Sequence, residues 1–322
     1  MIKLHLIKDI LADDIEKEPI RKGFGRGLLE AGKRNEDVVA ACADLTDSTQ
    51  MSLFAEAFPE RFIEIGVAEQ NLATVGSGMA AQGKIPFVSS YAAFSPGRNW
   101  EQIRTTICLN DRPVKIVGSH AGLYTGPDGA THQMLEDIAL MRVLPNMVVV
   151  VPGDSIEAEK ATLALAADKR PGYLRLARDA SPVITTKDTP FEIGKAYTFT
   201  EGKDLTIIST GTMTYHAMVA AEKLYKDGID VEVIHCPTIK PLDGASIIKS
   251  VDKTNRVITI EEHQAAGGLG SAVAELLSEE HPVKIRRLGV NDQFGESGKP
   301  DELLEKHKLT ASHIMLEVHR MF

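Results

Sequence analysis

Apolar residues follow two recurring patterns along this chain. Short unbroken apolar runs alternate with longer segments in which apolar positions return every three or four residues. The runs Val38-Val39-Ala40-Ala41-Cys42, Phe87-Val88-Ser89-Ser90-Tyr91, Val114-Lys115-Ile116-Val117-Gly118 and Met147-Val148-Val149-Val150-Val151 read as buried strands, and so do Phe62-Ile63-Glu64-Ile65 and Tyr173-Leu174-Arg175-Leu176. Between them the spacing predicts helices over Ile15 to Lys33, after Gly66 (with Leu72, Val75 and Met79 on one stripe), within Ala92 to Leu109, and over Met134 to Arg142. A further helix is expected over Ile156 to Asp168, capped by Pro152-Gly153-Asp154-Ser155. Strands alternating with helices predict a parallel sheet covered on both faces.

The pattern lapses from Asp179 to Glu192, a polar stretch with Pro182, Pro190 and Thr-rich turns. It resumes near Gly194 with strands at Leu205 to Ser209, Val231 to Ile234 and Val257 to Ile260. Helices are expected there over Thr212 to Lys226 (stopped by Gly228), Gly244 to Ser250 and Gly270 to Ser278. The expected fold is α/β in two domains, each a mainly parallel sheet with helices on both faces. They are placed at residues 1–185 and 194–322, joined by a linker at 186–193. A length of 322 residues suits two domains.

Composition narrows the function. A hydrophobic share of 43% builds an ordinary soluble core. No apolar run approaches the ~18 residues that span a bilayer. The stretch Met1 to Pro19 carries acids where a signal peptide holds an unbroken apolar segment. A cytoplasmic protein without a membrane partner is expected. The net charge of −9 argues against a nucleic-acid partner. It leaves room for an anionic small substrate wherever Arg and His cluster locally. Cys42, Cys108 and Cys236 are far apart and form no CxxC spacing, which argues against disulfides and zinc.

The helix after Gly66 draws attention. It opens on Glu69 and is rich in small residues: Ala68, Ala73, Gly76, Gly78, Ala80 and Ala81. Glycine costs roughly 1 kcal/mol in a helix relative to alanine. The two glycines therefore predict a helix packed tightly on another helix, with one acid at its mouth. The polar loop Ala43 to Thr49 falls at the carboxyl end of a strand, where open α/β sheets host ligands. Taken singly, each candidate also has a structural reading. Glu69 would complement a helix dipole, Asp44 would form a turn, and Arg21 would be a solvated helix residue. His120 would cap a turn, and Tyr91, Phe94 and His132 would be core.

In their order and spacing these residues resemble the transketolase family of thiamine diphosphate enzymes. The resemblance is carried by Gly66-Val67-Ala68-Glu69-Gln70-Asn71, by Asp44-Leu45-Thr46 with Ser48, by the loop from Ser119-His120-Ala121-Gly122 through Gly126-Pro127-Asp128-Gly129-Ala130-Thr131-His132-Gln133, and by Arg175-Leu176-Ala177-Arg178. It runs from about Arg21 to the C-terminal end, is strongest from Arg61 to Arg178, and covers two of the family's three domains: pyrimidine-binding and C-terminal. It implies that Glu69 touches the cofactor's aminopyrimidine, that Tyr91 and Phe94 form the aromatic wall around it, and that Asp44 lies near the cofactor. It implies that Arg21, Ser48 and Arg178 meet a substrate phosphate, that His120 and His132 flank the sugar, and that Asp128 contacts a substrate hydroxyl. His263 to Gly270 is similar to the family's C-terminal domain, for which a structural role is expected.

The implied chemistry assigns catalysis to Glu69, His120 and His132. The cofactor supplies the carbanion chemistry and the protein supplies orientation and electrostatics. A carboxyl in a water-poor cleft shares a proton with the pyrimidine N1′. Imidazoles titrating near neutrality suit proton transfer at sugar hydroxyls. Arginines hold the far phosphate by charged hydrogen bonds. The family's third domain binds diphosphate and a divalent metal through a GDG motif. This sequence has no GDG; its nearest strings are Pro152-Gly153-Asp154 and Pro127-Asp128-Gly129.

The resemblance therefore implies the C-terminal subunit of a split transketolase of the pentose phosphate pathway, with no metal ligand of its own. Thiamine diphosphate would be shared with a separate N-terminal subunit holding Mg2+ or Ca2+. An α2β2 assembly is expected, with the Gly76–Ala80 face at an interface and sugar phosphates as substrates. Two rival readings stand beside this one. One is a subunit of a related enzyme, similar to a deoxyxylulose-phosphate synthase or the β subunit of a 2-oxo acid dehydrogenase; the other is a non-catalytic interaction subunit.

Overall fold

The computed structural model describes residues 5–322, so the first four positions of the expected first domain lie outside the described residues. The chain opens with strand β1 (Lys17–Pro19) and helix α1 (Ile20–Arg34). Strands β2 (Val38–Cys42), β3 (Phe62–Glu64), β4 (Ile85–Tyr91), β5 (Lys115–Ser119), β6 (Val148–Val150) and β7 (Gly172–Arg175) follow. Between them lie α2 (Ser52–Ala57), α3 (Glu69–Ala81), α4 (Trp100–Gln102) running into a π-helical turn at Ile103–Cys108, α5 (Asp137–Arg142) and α6 (Ser155–Ala167). Strand β8 (Ala180–Pro182) closes this half by pairing antiparallel with β1.

The second half contains β9 (Tyr197–Thr200), β10 (Leu205–Ser209), α7 (Met213–Lys226), β11 (Val231–His235) and β12 (Thr238–Lys240). It continues with α8 (Gly244–Thr254), β13 (Arg256–Gln264), α9 (Leu269–Glu280), β14 (Lys284–Val290), α10 (Pro300–Lys306) and α11 (Ala311–His319). The larger sheet has the order β12-β6-β7-β5-β4-β2-β3, and the smaller β14-β13-β10-β11-β9. Both are parallel except for one antiparallel edge strand each, β12 and β9. The expected architecture, α/β with two mainly parallel sheets, is observed.

Local chemistry explains most of the boundaries. All five residues of β2 are buried, as an unbroken apolar run requires. Asp154 caps α6 by accepting from the Glu157 amide at 2.9 Å. Helix α1 starts at Ile20 rather than Ile15, because Pro19 drives Glu18 out of the helical region. The residues before it pair instead with β8, so part of the polar stretch after Asp179 is a strand. Helix α5 begins at Asp137, three residues later than the apolar spacing indicated. Strand β12 lies in the second half of the sequence yet pairs with β6, placing Thr238 opposite Val150.

Helix α3 starts at Glu69, as the sequence indicates, but its buried side is Glu69, Leu72, Ala73, Gly76 and Ala80. Val75 and Met79 are only half-buried. A Cβ at Gly76 would lie 2.8 Å from Val88 Cγ1, so the close approach is to strand β4 and not to another helix. Gly78 faces open space, with nothing within 4 Å of where its Cβ would be.

The apolar core forms two layers, and each passes through both halves. One contains Leu28, Phe87, Ala161, Ile207, Ala217 and Ile258. The other contains Leu72, Val88, Ile116, Val149, Ile208 and Val273. Buried charge crosses the same junction. Arg175 on β7 donates to Asp137 at 2.8 Å and to the backbone carbonyl of Glu262 on β13 at 3.0 Å. The Tyr173 hydroxyl donates to the same Asp137 oxygen at 2.7 Å.

Candidate active site

The candidate residues gather at the carboxyl ends of β2, β3, β4, β5 and β7, the edge where parallel sheets hold ligands. Gly66, with φ +77°, turns the chain from β3 toward α3. Glu69 then stands in the first helical turn, 1% exposed. Its carboxylate is already engaged. Arg98 Nη1 donates to Oε2 at 2.6 Å, and the Ser90 hydroxyl donates to Oε1 at 3.1 Å. Asn99 donates to the Glu69 backbone carbonyl at 2.9 Å. A buried carboxylate needs such partners, because an unpaired one would be expelled or neutralised.

Four rings form the adjoining surface. Tyr91 lies 6.2 Å from Phe94 and stacks on His120 at 3.8 Å between centroids. His132 meets Phe94 edge-on at 5.4 Å and Tyr91 at 5.9 Å. The Arg98 guanidinium sits 4.8 Å from the centre of the Phe94 ring, which ties this wall to Glu69. His120 holds a left-handed backbone, φ +57°, without being glycine, and strain of this kind concentrates at functional sites. Its Nδ1 is 2.9 Å from the Ser119 hydroxyl, and its backbone carbonyl accepts from Thr125 at 2.6 Å.

Burial pushes His120 down to about 3, helped by the charges of Arg21, Arg178 and His132. This corrects the expectation of an imidazole titrating near neutrality at this position. At pH 7 His120 is a neutral ring, with one nitrogen donating and the other accepting.

Arg21 and Arg178 make the cationic end. Arg21 Nε donates to the Arg178 carbonyl at 3.1 Å and Nη1 to the Ser48 carbonyl at 2.6 Å. Arg178 Nη1 donates to the Thr125 carbonyl at 3.2 Å, and its Nε lies 3.8 Å from Asp128. Burial lowers Arg21 from its ordinary value, and the neighbouring Arg178 charge adds to this. Two guanidiniums brought together in this way favour an anion between them.

Asp44 is exposed, with φ +59°. It contributes a backbone N–H that donates to Glu64 at 2.7 Å. The same Glu64 carboxylate accepts from Thr46 at 3.0 Å and from the Gly66 amide at 2.9 Å, which joins the Asp44 loop to the entry of α3.

The sequence reading missed several residues that hold this geometry: Glu64, Ser90, Arg98 and Asn99 around Glu69, and Gln133 and Glu262 around the His120 loop. The spacing of Phe94 and Arg98, four apart, was the one local signal for the cation stacked on the ring.

An aminopyrimidine presents a flat face, a ring nitrogen and an exocyclic amine. A buried carboxylate beside two aromatic rings suits the first two. Asn99 Oδ1, buried and without a partner, adds an acceptor beside Glu69. The residues present therefore fit the pyrimidine half of thiamine diphosphate. Among the described residues no three His, Cys, Asp or Glu side chains converge as a metal site.

Comparison with known proteins supplies a family for the chain. The profile of the transketolase pyrimidine-binding domain matches residues 16–183, and that of the transketolase C-terminal domain matches residues 194–314. The chain is similar to a 6-deoxy-6-sulfo-D-fructose transketolase subunit of a Clostridium species, 39% identical over 307 residues, covering 95% of each chain. It is similar to an apulose-4-phosphate transketolase subunit of Phocaeicola vulgatus, 38% identical, covering 90% of this chain and 93% of that one. Among solved structures it superposes on a split-gene transketolase, described as an inactive beta4 tetramer, with a TM-score of 0.88 and 45% identity, covering 94% of this chain and 98% of that one.

Proposed function

We infer the function from one premise: the chain belongs to the transketolase family. We propose that it is the C-terminal subunit of a two-chain transketolase of the cytoplasm. A separate N-terminal subunit would bring the diphosphate and metal site, in an α2β2 assembly. The reaction moves a two-carbon ketol unit from a ketose phosphate to an aldose phosphate, as in the pentose phosphate pathway. The observation that carries this reading is the convergence of Glu69, the Tyr91–Phe94–His120–His132 rings and the Arg21–Arg178 pair at one sheet edge. It is joined to a family match that spans only the pyrimidine-binding and C-terminal domains.

Thiamine diphosphate, when bound, supplies the carbanion chemistry. Glu69 would hold a proton at the pyrimidine N1′, with Ser90 and Arg98 fixing its carboxylate. Tyr91 and Phe94 would pack on the ring and exclude water. His120, held neutral, presents Nε2 to a sugar hydroxyl while Ser119 engages Nδ1. His132 takes and returns the hydroxyl proton as the sugar bond breaks and re-forms. Asp128 accepts from a second hydroxyl. Arg21 and Arg178 hold the anionic end of the sugar and so set the distance of its carbonyl from the cofactor.

A sulfonated sugar is the second reading. It is favoured by the Clostridium relative named for 6-deoxy-6-sulfo-D-fructose and by a guanidinium pair that takes either anion. The deciding experiment mixes this chain with a candidate N-terminal subunit, thiamine diphosphate and Mg2+. It offers xylulose 5-phosphate with ribose 5-phosphate, then the sulfonated ketose, then pyruvate with glyceraldehyde 3-phosphate. Turnover of a sugar by the mixture alone, lost in Glu69→Gln, supports the proposal. Full activity of this chain by itself, or consumption of pyruvate alone, overturns it.

A further inference from the structure

The loop from Gly122 to Gln133 carries Asp128 and His132, yet much of its support comes from the other domain. At its start, the Tyr124 amide donates to Glu262 Oε2 on β13 at 3.2 Å. Glu262 is itself held by Thr212 at 3.0 Å and lies 3.5 Å from Arg175. At its end, the Gln133 side chain is 3% exposed. Its Nε2 donates to the Gly126 carbonyl at 2.8 Å and to the Glu296 carbonyl at 2.8 Å. One amide group therefore closes the loop on itself and pins it to the segment that follows β14.

That segment is shaped to receive it. A Cβ at Gly295 would fall 1.7 Å from Gln133 Oε1, so the amide packs against bare backbone. A Cβ at Gly129 would fall 2.7 Å from Ser297 Oγ and 3.4 Å from its backbone nitrogen, so the loop and the segment touch at a second point. The segment hangs in turn from β13. Gln264 Nε2 donates to the Gln293 carbonyl at 2.8 Å, and the Asp292 amide donates to Gln264 Oε1 at 3.1 Å. Inside the loop, the His132 and Gln133 amides both donate to the Gly129 carbonyl, at 3.0 and 2.9 Å. Asp128 and His132 thus lie between two points that Gln133 fixes.

We propose that the second domain sets the geometry of the substrate loop, and that Gln133 is the positioning residue through which segment 292–298 places Asp128 and His132. The substrate part of this inference rests on the transketolase reading; the loop part does not. Displacing a positioned group by about 1 Å costs up to about 100-fold in rate, so a bond at the loop's base acts on chemistry it does not touch.

The test uses the full chain and three variants: Gln133→Ala, Gly295→Ala and the double variant. Hydrogen exchange is read on the chain alone. Each single change is expected to speed exchange at residues 126–133 while leaving β4 and α3 as protected as before. The double variant is expected to be no looser than Gln133→Ala, because the added methyl then has no amide to displace. In the complex with the N-terminal subunit, both single variants should lower kcat/KM for xylulose 5-phosphate about tenfold, with thiamine diphosphate affinity changed by less than about twofold. Unchanged exchange at 126–133, loosening spread evenly over the chain, additive effects in the double variant, or local loosening with an unchanged kcat/KM would each overturn the proposal. If the wild-type complex turns over no sugar phosphate, the functional reading fails, and the exchange pattern still decides whether segment 292–298 sets the loop.

Discussion

Glu69 and its neighbours hold one another within a single domain, whereas the loop carrying His120, Asp128 and His132 is braced at both ends from another. Ser90, Arg98 and Asn99 all lie within 30 positions of Glu69 in sequence. The bonds Tyr124–Glu262 and Gln133–Glu296 join positions 138 and 163 apart. The first wall forms once β4 and α3 have packed. The second exists only when the two domains have met, and its shape responds to anything that shifts their junction. If the first wall holds the cofactor and the loop holds the sugar, as proposed, such a division lets the loop be re-aimed from outside while the wall stays fixed.

Stability should expose the difference most strongly. Glu262→Ala removes the acceptor of Tyr124 and Thr212 and strips one anion from buried Arg175. Burial pushes the Glu262 carboxyl up, with Arg175 opposing, so the group depends on its partners. Breaking a buried ion pair costs about 3–5 kcal/mol, and urea unfolding should show a loss of that size. Glu69→Gln should lose about 1 kcal/mol or less, because the Arg98 side chain is 47% exposed and turns to water. Equal losses would mean that the two walls are supported alike.

Activity should reverse the order. In the assembled enzyme Glu69→Gln is expected to lower kcat by about 10²–10⁴, the usual worth of a proton-transfer group, with near-native circular dichroism. A loss below about tenfold would remove Glu69 from the chemistry. Arg178→Lys comes next. Lysine keeps the charge but not the fork that reaches Thr125 and Asp128. Hydrogen bonds to charged groups are worth about 1.5–3 kcal/mol, so KM for a phosphorylated ketose should rise about 10- to 150-fold. The unphosphorylated sugar should respond far less; an equal rise for both would place the anion elsewhere.

The same division explains what the sequence disclosed. Strands β2, β4, β5 and β6 are apolar runs because both faces of their sheet are covered, so composition alone marks them. Strand β14 escaped notice because it is an edge, with Lys284, Arg286 and Arg287 exposed, and polar edge residues resemble loop. Strand β12 has three residues and pairs across the domain junction, for which no local signal exists. Helices α10 and α11 lie beyond the stretch where the helical spacing was read. In the candidate site, position was legible: Glu69 at a helix start, Tyr91 at a strand end, and His120 and Arg178 just past strand ends. Those that hold them were not, because hydrogen bonds such as Arg98 to Glu69 or Gln133 to Glu296 follow from backbone paths fixed only on folding.

The subtlest readout is titration of the loop. His120 sits at about 3 in the folded chain, from burial first and then from Arg21, Arg178 and His132. The unfolded chain holds histidine near 6.5. As pH falls the unfolded state takes the proton first, so the stability tied to neutral His120 is complete above about pH 6.5 and drains away toward the folded value. By pH 5.5 the loss is about 1.4 kcal/mol. His216, pushed down to about 4 by burial, drains in the same window and must be kept constant. His120→Asn should therefore flatten the acid limb by about one proton per molecule unfolded, leaving the His216 contribution behind. Arg21→Ala should narrow the window from its lower end, because removing that cation lets His120 take its proton at a higher pH. An acid limb of unchanged slope in His120→Asn would mean that the ring is protonated in the folded loop, and that the cationic end is weaker than the packing of Arg21 and Arg178 implies.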